Sequence, residues 1–217
     1  MELESLGKVK DWLFKHISSA VAPLLLLFQS IPVVGFMGLM LFPIATYLFS
    51  LFWKMPSASK FEILTLFLSK RLILGRIIAL SGFIIFLVGL VSLIRGRGKI
   101  VKTKFYSLVR HPQYLGFIIM TWGISIMSLQ HVRVAGWYVR WGWGYLPLPI
   151  GWLLMALSYV LLACWEEWYL TKKHSREYQE YRQKVPFMFP LPYSPKIPEP
   201  LSTLVIVLIF AFSLILF

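Results

Sequence analysis

The sequence predicts an all-α fold: a polytopic bundle of about five transmembrane helices, with a sixth apolar segment at the C-terminal end and a cofactor pocket on the cytosolic side. Three observations predict it. Of the 217 residues, 58% are hydrophobic, and the mean hydropathy is +0.72. Several apolar runs reach the roughly 18–20 residues that cross a hydrocarbon core. The charge is largely kept to the stretches between those runs, as bilayer energetics require.

Residues 17–53 are apolar almost throughout and too long for one span. Pro32 disfavours helix in the residue before it, so Gln29-Ser30-Ile31-Pro32 is the predicted break. That gives two spans, about 17–31 and 33–53. A connector, Lys54 to Arg71, holds the apolar piece Phe61–Leu68, read as an interfacial helix. The third span runs from Leu72 to Ile94. Its Gly75, Gly82 and Gly89 recur every seven residues, which sets them on one helix face and predicts a close packing seam.

Arg95 to Arg110 carries six Lys and Arg and no acid, and therefore reads as cytoplasmic. The connector at 54–71 then lies outside despite Lys54, Lys60, Lys70 and Arg71, against the usual bias. Pro112 to Leu129 is the fourth span. Trp137, Tyr138, Trp141, Trp143 and Tyr145 form an interfacial aromatic belt. Leu146 to Trp165 is the fifth span, its length about one hydrocarbon core at ~1.5 Å per residue. A polar helix, Glu166 to Lys184, follows. Pro186, Pro190, Pro192, Pro195, Pro198 and Pro200 then forbid helix. The uncharged tail Leu201–Phe217 either spans marginally or lies against the bundle. Residues 1–217 thus read as one integral membrane domain, with 191–217 a Pro-rich linker and apolar tail.

A net charge of +13 admits nucleic-acid binding in principle. Its placement between spans favours headgroup anchoring and topology control instead, so no nucleic-acid partner is expected. The first sixteen residues, with Glu2, Glu4, Lys8, Lys10, Asp11 and Lys15, argue against a signal peptide. Cys164 stands alone in an apolar run, so neither an internal disulfide nor a cysteine metal site can form. His16, His111, His131 and His174 lack ligand spacing, and no metal is expected.

Two motifs carry chemistry. In Arg110-His111-Pro112-Gln113-Tyr114-Leu115-Gly116, proline suits a first helical turn, which puts His111 at the cap. A helix start offers free N–H groups and a positive dipole end to an anion. Arg110 adds fixed charge, Tyr114 an aromatic face, and Gly116 room for a helix or ligand. The plain reading of this piece alone is a headgroup anchor. The second motif, Glu166-Glu167, closes the next hydrophobic helix. The chain has only nine acids, and two side by side at the mouth of a span point to a cationic ligand group. A helical hairpin would bring both motifs to one membrane face. Anion recognition, aromatic faces and a carboxylate pair together suit a zwitterionic, nucleoside-bearing sulfonium. Its positive centre would sit beside rings such as Tyr106 or Tyr114.

These residues resemble the membrane methyltransferases that include the isoprenylcysteine carboxyl methyltransferases, the phospholipid N-methyltransferases and the bacterial thiol methyltransferases. The likeness spans about 72–190. It rests on Tyr106, the Arg110–Gly116 motif, Glu166-Glu167-Trp168-Tyr169-Leu170, Tyr178, Tyr181, Val185-Pro186 and Pro190. It implies S-adenosyl-L-methionine as cofactor, held by Ile100, Val101, Tyr106, Arg110, His111, Pro112, Gln113, Tyr114, Gly116, Glu166 and Glu167. Two departures stand out. The usual Gly-x-Tyr reads Lys104-Phe105-Tyr106. Leu162 occupies the position where eukaryotic carboxyl methyltransferases carry a substrate-binding arginine. The stretch Trp122, Met127, Ser128, His131 is loosely similar to thiol methyltransferases, and its plain reading is a span ending in an interfacial histidine.

The expected activity is methyl transfer to a lipophilic or small membrane-permeant acceptor: a thiol, a lipid amine or a prenylcysteine carboxylate. Glu167 and His111 are weak candidates for a proton acceptor. The alternative is a non-catalytic membrane protein that binds lipid headgroups or a partner helix.

Overall fold

The computed structural model describes residues 32–52, 68–96, 100–102, 104–131, 138–141, 144–173, 175–190 and 199–216. The predicted span 17–31 and the connector piece 61–67 lie outside the described residues. The chain divides into two compact units, Met1–Phe42 and Pro43–Phe217, and every contact below lies within the second.

Six helices account for nearly all the described structure. They are α1 (Pro32–Phe52), α2 (Ile73–Gly96), α3 (Pro112–His131), α4 (Leu148–Lys173), α5 (Ser175–Lys184) and α6 (Glu199–Ser213). Short 3₁₀ turns at Lys70–Leu72 and Lys104–Ser107 lead into α2 and α3. Among the described residues, α2, α3 and α4 are long and apolar enough to cross a membrane, while Gly38–Leu51 and Glu199–Ser213 are shorter apolar helices. The protein is a multi-pass integral membrane protein.

The α2–α3 pair shows how lipid reverses the usual rule of large apolar groups inside. The buried residues of α2 are Gly75, Gly82, Gly89 and Ser92, while Ile73, Leu74, Ile77, Leu80, Phe83, Ile84 and Leu87 face outward. Lipid is as apolar as leucine, so close backbone approach drives association instead. Gly75 faces Gly123 and Gly82 faces Gly116. Rising numbers on one helix meet falling numbers on the other, so the pair is antiparallel, and the seven-residue spacing keeps both contacts on one seam.

On its other side α3 packs against α4. Trp152 Nε1 donates to Thr121 Oγ1 at 3.1 Å, and the Tyr114 and Tyr159 rings stack at 5.4 Å. These pairs also run in opposite senses, which makes α3 and α4 the expected hairpin. From α1, Tyr47 shares a 2.6 Å hydrogen bond with Ser125 on α3. Every one of these buried hydroxyl or indole groups finds a partner, as a water-free interior demands.

Two expectations need correction, and one stretch shows a feature not foreseen. The fifth span does not end at Trp165: α4 runs on to Lys173, and the separate polar helix is only Ser175–Lys184. Glu166 and Glu167 therefore project from a continuous, rigid helix. Pro200 does not forbid helix, because it occupies the second position of α6, where a missing N–H costs nothing. The aromatic stretch contains a two-stranded hairpin, Tyr138–Trp141 with Gly144–Pro147, in the register Tyr138↔Pro147 to Trp141↔Gly144. Tyr, Val and Trp favour extended backbone. The apolar tail lies against the bundle: its Phe210 ring stacks on Trp122 of α3 at 4.7 Å, and Trp122 Nε1 donates to the Phe210 carbonyl at 3.2 Å.

Candidate functional site

The site is built where α3 begins and α4 passes. His111 caps α3, its carbonyl accepting from the Leu115 N–H at 3.1 Å. The preceding Arg110 N–H donates to the Pro186 carbonyl at 2.9 Å. That bond ties the segment after α5 to the start of α3.

The two motifs meet directly. His111 Nδ1 lies 3.3 Å from Glu166 Oε2, and His111 Nε2 lies 3.4 Å from Glu167 Oε1. The Arg110 Nε is 2.9 Å from Glu167, and Arg182 Nε approaches the same carboxylate at 3.6 Å. The far end of the Arg110 guanidinium pairs with Glu199 of α6, and its Nη1 donates to the Arg182 carbonyl at 3.2 Å. Its plane also faces the Phe187 ring at 5.6 Å. Arg110, His111 and Glu167 are all buried. Taking such charges out of water is tolerable only when each is paired, and here three carboxylates face two arginines and a histidine.

His111 is the titrating member. Burial alone would lower its pKa; the adjoining Glu166 and Glu167 outweigh burial and push it up to about 9. At neutral pH the imidazole is therefore a cation locked between two carboxylates. Tyr106 is raised by burial first and by the charge of Glu166 second, so its hydroxyl stays a donor.

A second layer flanks the ionic cluster. Tyr106 OH donates to Gln113 Oε1 at 2.6 Å, and Tyr181 OH donates to the Tyr106 carbonyl at 2.6 Å. Tyr178, Tyr181 and Val185 pack together, with Ile100 and Leu170 against them. The Tyr114 ring stacks on His111 at 5.7 Å, and its hydroxyl reaches Glu166. Five buried atoms here lack an aligned hydrogen bond: Arg110 Nε, His111 Nδ1, Gln113 Nε2, Glu166 Oε2 and Tyr178 OH. Unmet buried polar groups are costly and concentrate where function needs them. They comprise guanidinium, amide, ring-nitrogen and hydroxyl groups beside a carboxylate, a set suited to a polar ligand bearing both charges.

Of the residues singled out from sequence, Tyr106, Arg110, His111, Gln113, Tyr114, Glu166 and Glu167 come together, while Pro112 starts α3 with its ring toward Gly89 of α2. Ile100 joins at the edge. Val101 packs under Gly96, and Gly116 lies in the α2–α3 seam against Gly82 and the Phe86 backbone, so neither reaches the cluster. Three members were missed. Arg182 and Phe187 carried no distinguishing signal. Glu199 did: it is one of nine acids and opens an apolar helix. Among the described residues no group of His, Cys, Asp and Glu is arranged to hold a metal.

Residues 91–185 match the family described as "Protein of unknown function (DUF1295)". The chain is 30% identical over 93 residues to a methanethiol S-methyltransferase of Crocosphaera subtropica. That match covers 42% of this chain and 29% of the relative's length. No solved structure matches. The family match takes in both motifs, Arg110–Gly116 and Glu166-Glu167, and the chain spans about three-tenths of the length of the curated relative.

Proposed function

We propose that the protein is an S-adenosyl-L-methionine-dependent methyltransferase acting on a lipophilic or small membrane-permeant acceptor. One observation carries the reading: at the meeting point of two apolar helices, the Gln113 amide nitrogen is buried without a hydrogen-bond partner, beside a buried His111 that lies 3.3 Å from Glu166 and 3.4 Å from Glu167. The bound cofactor supplies a methyl carbon already activated by a positively charged sulfur. The chain's own part is to bind, orient and exclude water.

The roles divide by how fully each group is already paired. Arg110 and Glu167 are consumed by one another and by Glu199, His111 and Arg182. They form a frame. Glu166 meets the His111 ring through Oε2 and the Tyr114 hydroxyl, while Glu167 faces three cations, so Glu166 is the carboxylate with more capacity for a ligand's ammonium or ribose hydroxyl. The Gln113 amide and the cationic His111 suit a ligand carboxylate. Tyr106 and Tyr114 supply aromatic faces for a cationic sulfur.

Neither candidate base fits that task. An imidazole pushed up to about 9 and held between carboxylates is already protonated. Glu167 faces three cations. The acceptor therefore has to arrive with a free lone pair, as a thiolate, an amine or a carboxylate does. Of these, a prenylcysteine carboxylate has the weakest support, since Leu162 stands where a counter-charge would be needed. The similarity to a methanethiol S-methyltransferase supports a thiol.

Calorimetry of S-adenosylhomocysteine with the detergent-purified protein tests the reading. The parent is expected to bind and Glu166→Gln to bind at least about tenfold more weakly, the loss of one charge-assisted contact. A parent that fails to bind would favour headgroup or partner-helix binding instead. Membranes incubated with methyl-labelled cofactor then report the acceptor class by where label appears: lipid, protein or a volatile product.

A further inference from the structure

The helix α6 lies beyond the stretch that carries the family likeness, yet two of its contacts, to Arg110 just before α3 and to Trp122 within it, fall in step. Glu199 pairs with Arg110 at the start of α3. Eleven residues later, Phe210 stacks on Trp122 at 4.7 Å, twelve residues beyond Arg110. The two helices therefore run parallel. Phe189, from the segment just after the site, meets Phe210 edge-on at 5.9 Å. One end of α6 is thus inserted in the ionic cluster and the other is fixed by aromatic packing.

The ionic contacts form a chain: Glu199 to Arg110, Arg110 to Glu167, Glu167 to His111, His111 to Glu166. Arg110 is almost wholly buried, and its Nη2 has Glu199 as its carboxylate. Removing that carboxylate leaves a buried guanidinium edge seeking an acceptor. Glu166 is the carboxylate in the cluster with an oxygen lacking an aligned bond. The planar fork of arginine favours two-oxygen capture of such a group.

We propose that Glu199 is a positioning residue: by occupying the outer edge of Arg110 it keeps that arginine on Glu167 and leaves Glu166 available to the cofactor. The C-terminal helix is then a working part of the site and not merely a further lipid-facing helix. This rests on the function proposed above, and the test separates the two. Full-length protein in detergent is compared with Glu199→Gln, which keeps shape and loses charge, Glu199→Asp, which keeps charge on a shorter arm, and Phe210→Ala, which loosens α6 without touching the ionic chain.

Two readouts are taken. Nitrogen-15 NMR of the arginine Nε–H groups reads the Arg110–Glu167 contact without any ligand. Calorimetry with S-adenosylhomocysteine reads the consequence. In Glu199→Gln the Arg110 Nε–H is expected to shift and exchange faster, and affinity to fall about tenfold, as for loss of a charge-assisted pair. Glu199→Asp recovers most of both. Phe210→Ala lowers the melting temperature with affinity within about twofold of the parent, because no charged contact changes. An unchanged Arg110 signal in Glu199→Gln overturns the proposal whatever the ligand result. So does an affinity loss in Phe210→Ala equal to that of Glu199→Gln, which would make α6 a general prop. Failure of the parent to bind, with the Arg110 shift still present, removes the cofactor reading and leaves the positioning contact standing.

Discussion

Gly116 belongs to a motif that also holds the histidine, yet the structure places it in a helix seam, and substitution by alanine separates those two explanations. A Cβ added at Gly116 would lie 2.5 Å from the Phe86 amide nitrogen and 2.7 Å from the Gly82 carbonyl oxygen. Both are backbone atoms of α2 and cannot swing aside. Ordinary contact starts near 3.4 Å, so the helices must part by 3.4 less 2.5, about 0.9 Å. Overpacking of this kind costs about 1–3 kcal/mol, a fall of roughly 2–12 °C in melting temperature for a chain of this size. Gly123→Ala is the matched control. Its Cβ would meet the Ala79 nitrogen at 2.5 Å and the Gly75 oxygen at 2.6 Å, seven residues (about 10 Å) further from the site. Thermal melts in one detergent should show similar losses for both variants. S-adenosylhomocysteine affinity should fall mainly in Gly116→Ala, because displacing the start of α3 moves His111 and Gln113. An unchanged melting temperature for Gly116→Ala would refute the seam. Equal affinity losses in both variants would refute the idea that the seam sets the site locally.

Three further outcomes are expected. Glu167→Gln strands Arg110 in a buried position and should cost about 3–5 kcal/mol of stability, well beyond Glu166→Gln, as read by chemical or thermal unfolding; equal costs would mean the frame has been misassigned. The raised His111 pKa gives a signed pH dependence: its stabilising share is full below about 6.5, the unfolded value, and is lost as pH climbs through about 9. At about 1.4 kcal/mol per unit, that share is on the order of 3 kcal/mol, so melts should drop between those pH values in the parent and stay flatter in His111→Gln. Tyr106→Phe removes the donor to Gln113 Oε1 and should cost about 1–3 kcal/mol, the penalty for an unsatisfied buried acceptor; a neutral result would show that the Gln113 amide turns to another partner.

Composition and run length alone determined that the chain is a helical membrane protein, because a bilayer core tolerates only backbone that pairs with itself. Glycine spacing gave the seam on α2, since a seven-residue repeat keeps one helix face and lipid rewards small residues there. Arg110-His111-Pro112 and Glu166-Glu167 were legible as partners because scarce charge at the mouths of spans rarely has another use. What sequence left open concerns pairing across distance. That Gly116 serves α2 depends on which face of α3 turns toward that helix. The division of labour between Glu166 and Glu167, adjacent in sequence, depends on their lying about 100° apart on one continuous helix, so that one meets Arg110 and Arg182 while the other is left less fully paired. Glu199 enters the cluster only because α6 folds back against α4 and reaches the start of α3, and no local pattern encodes which buried cation a distant carboxylate will find.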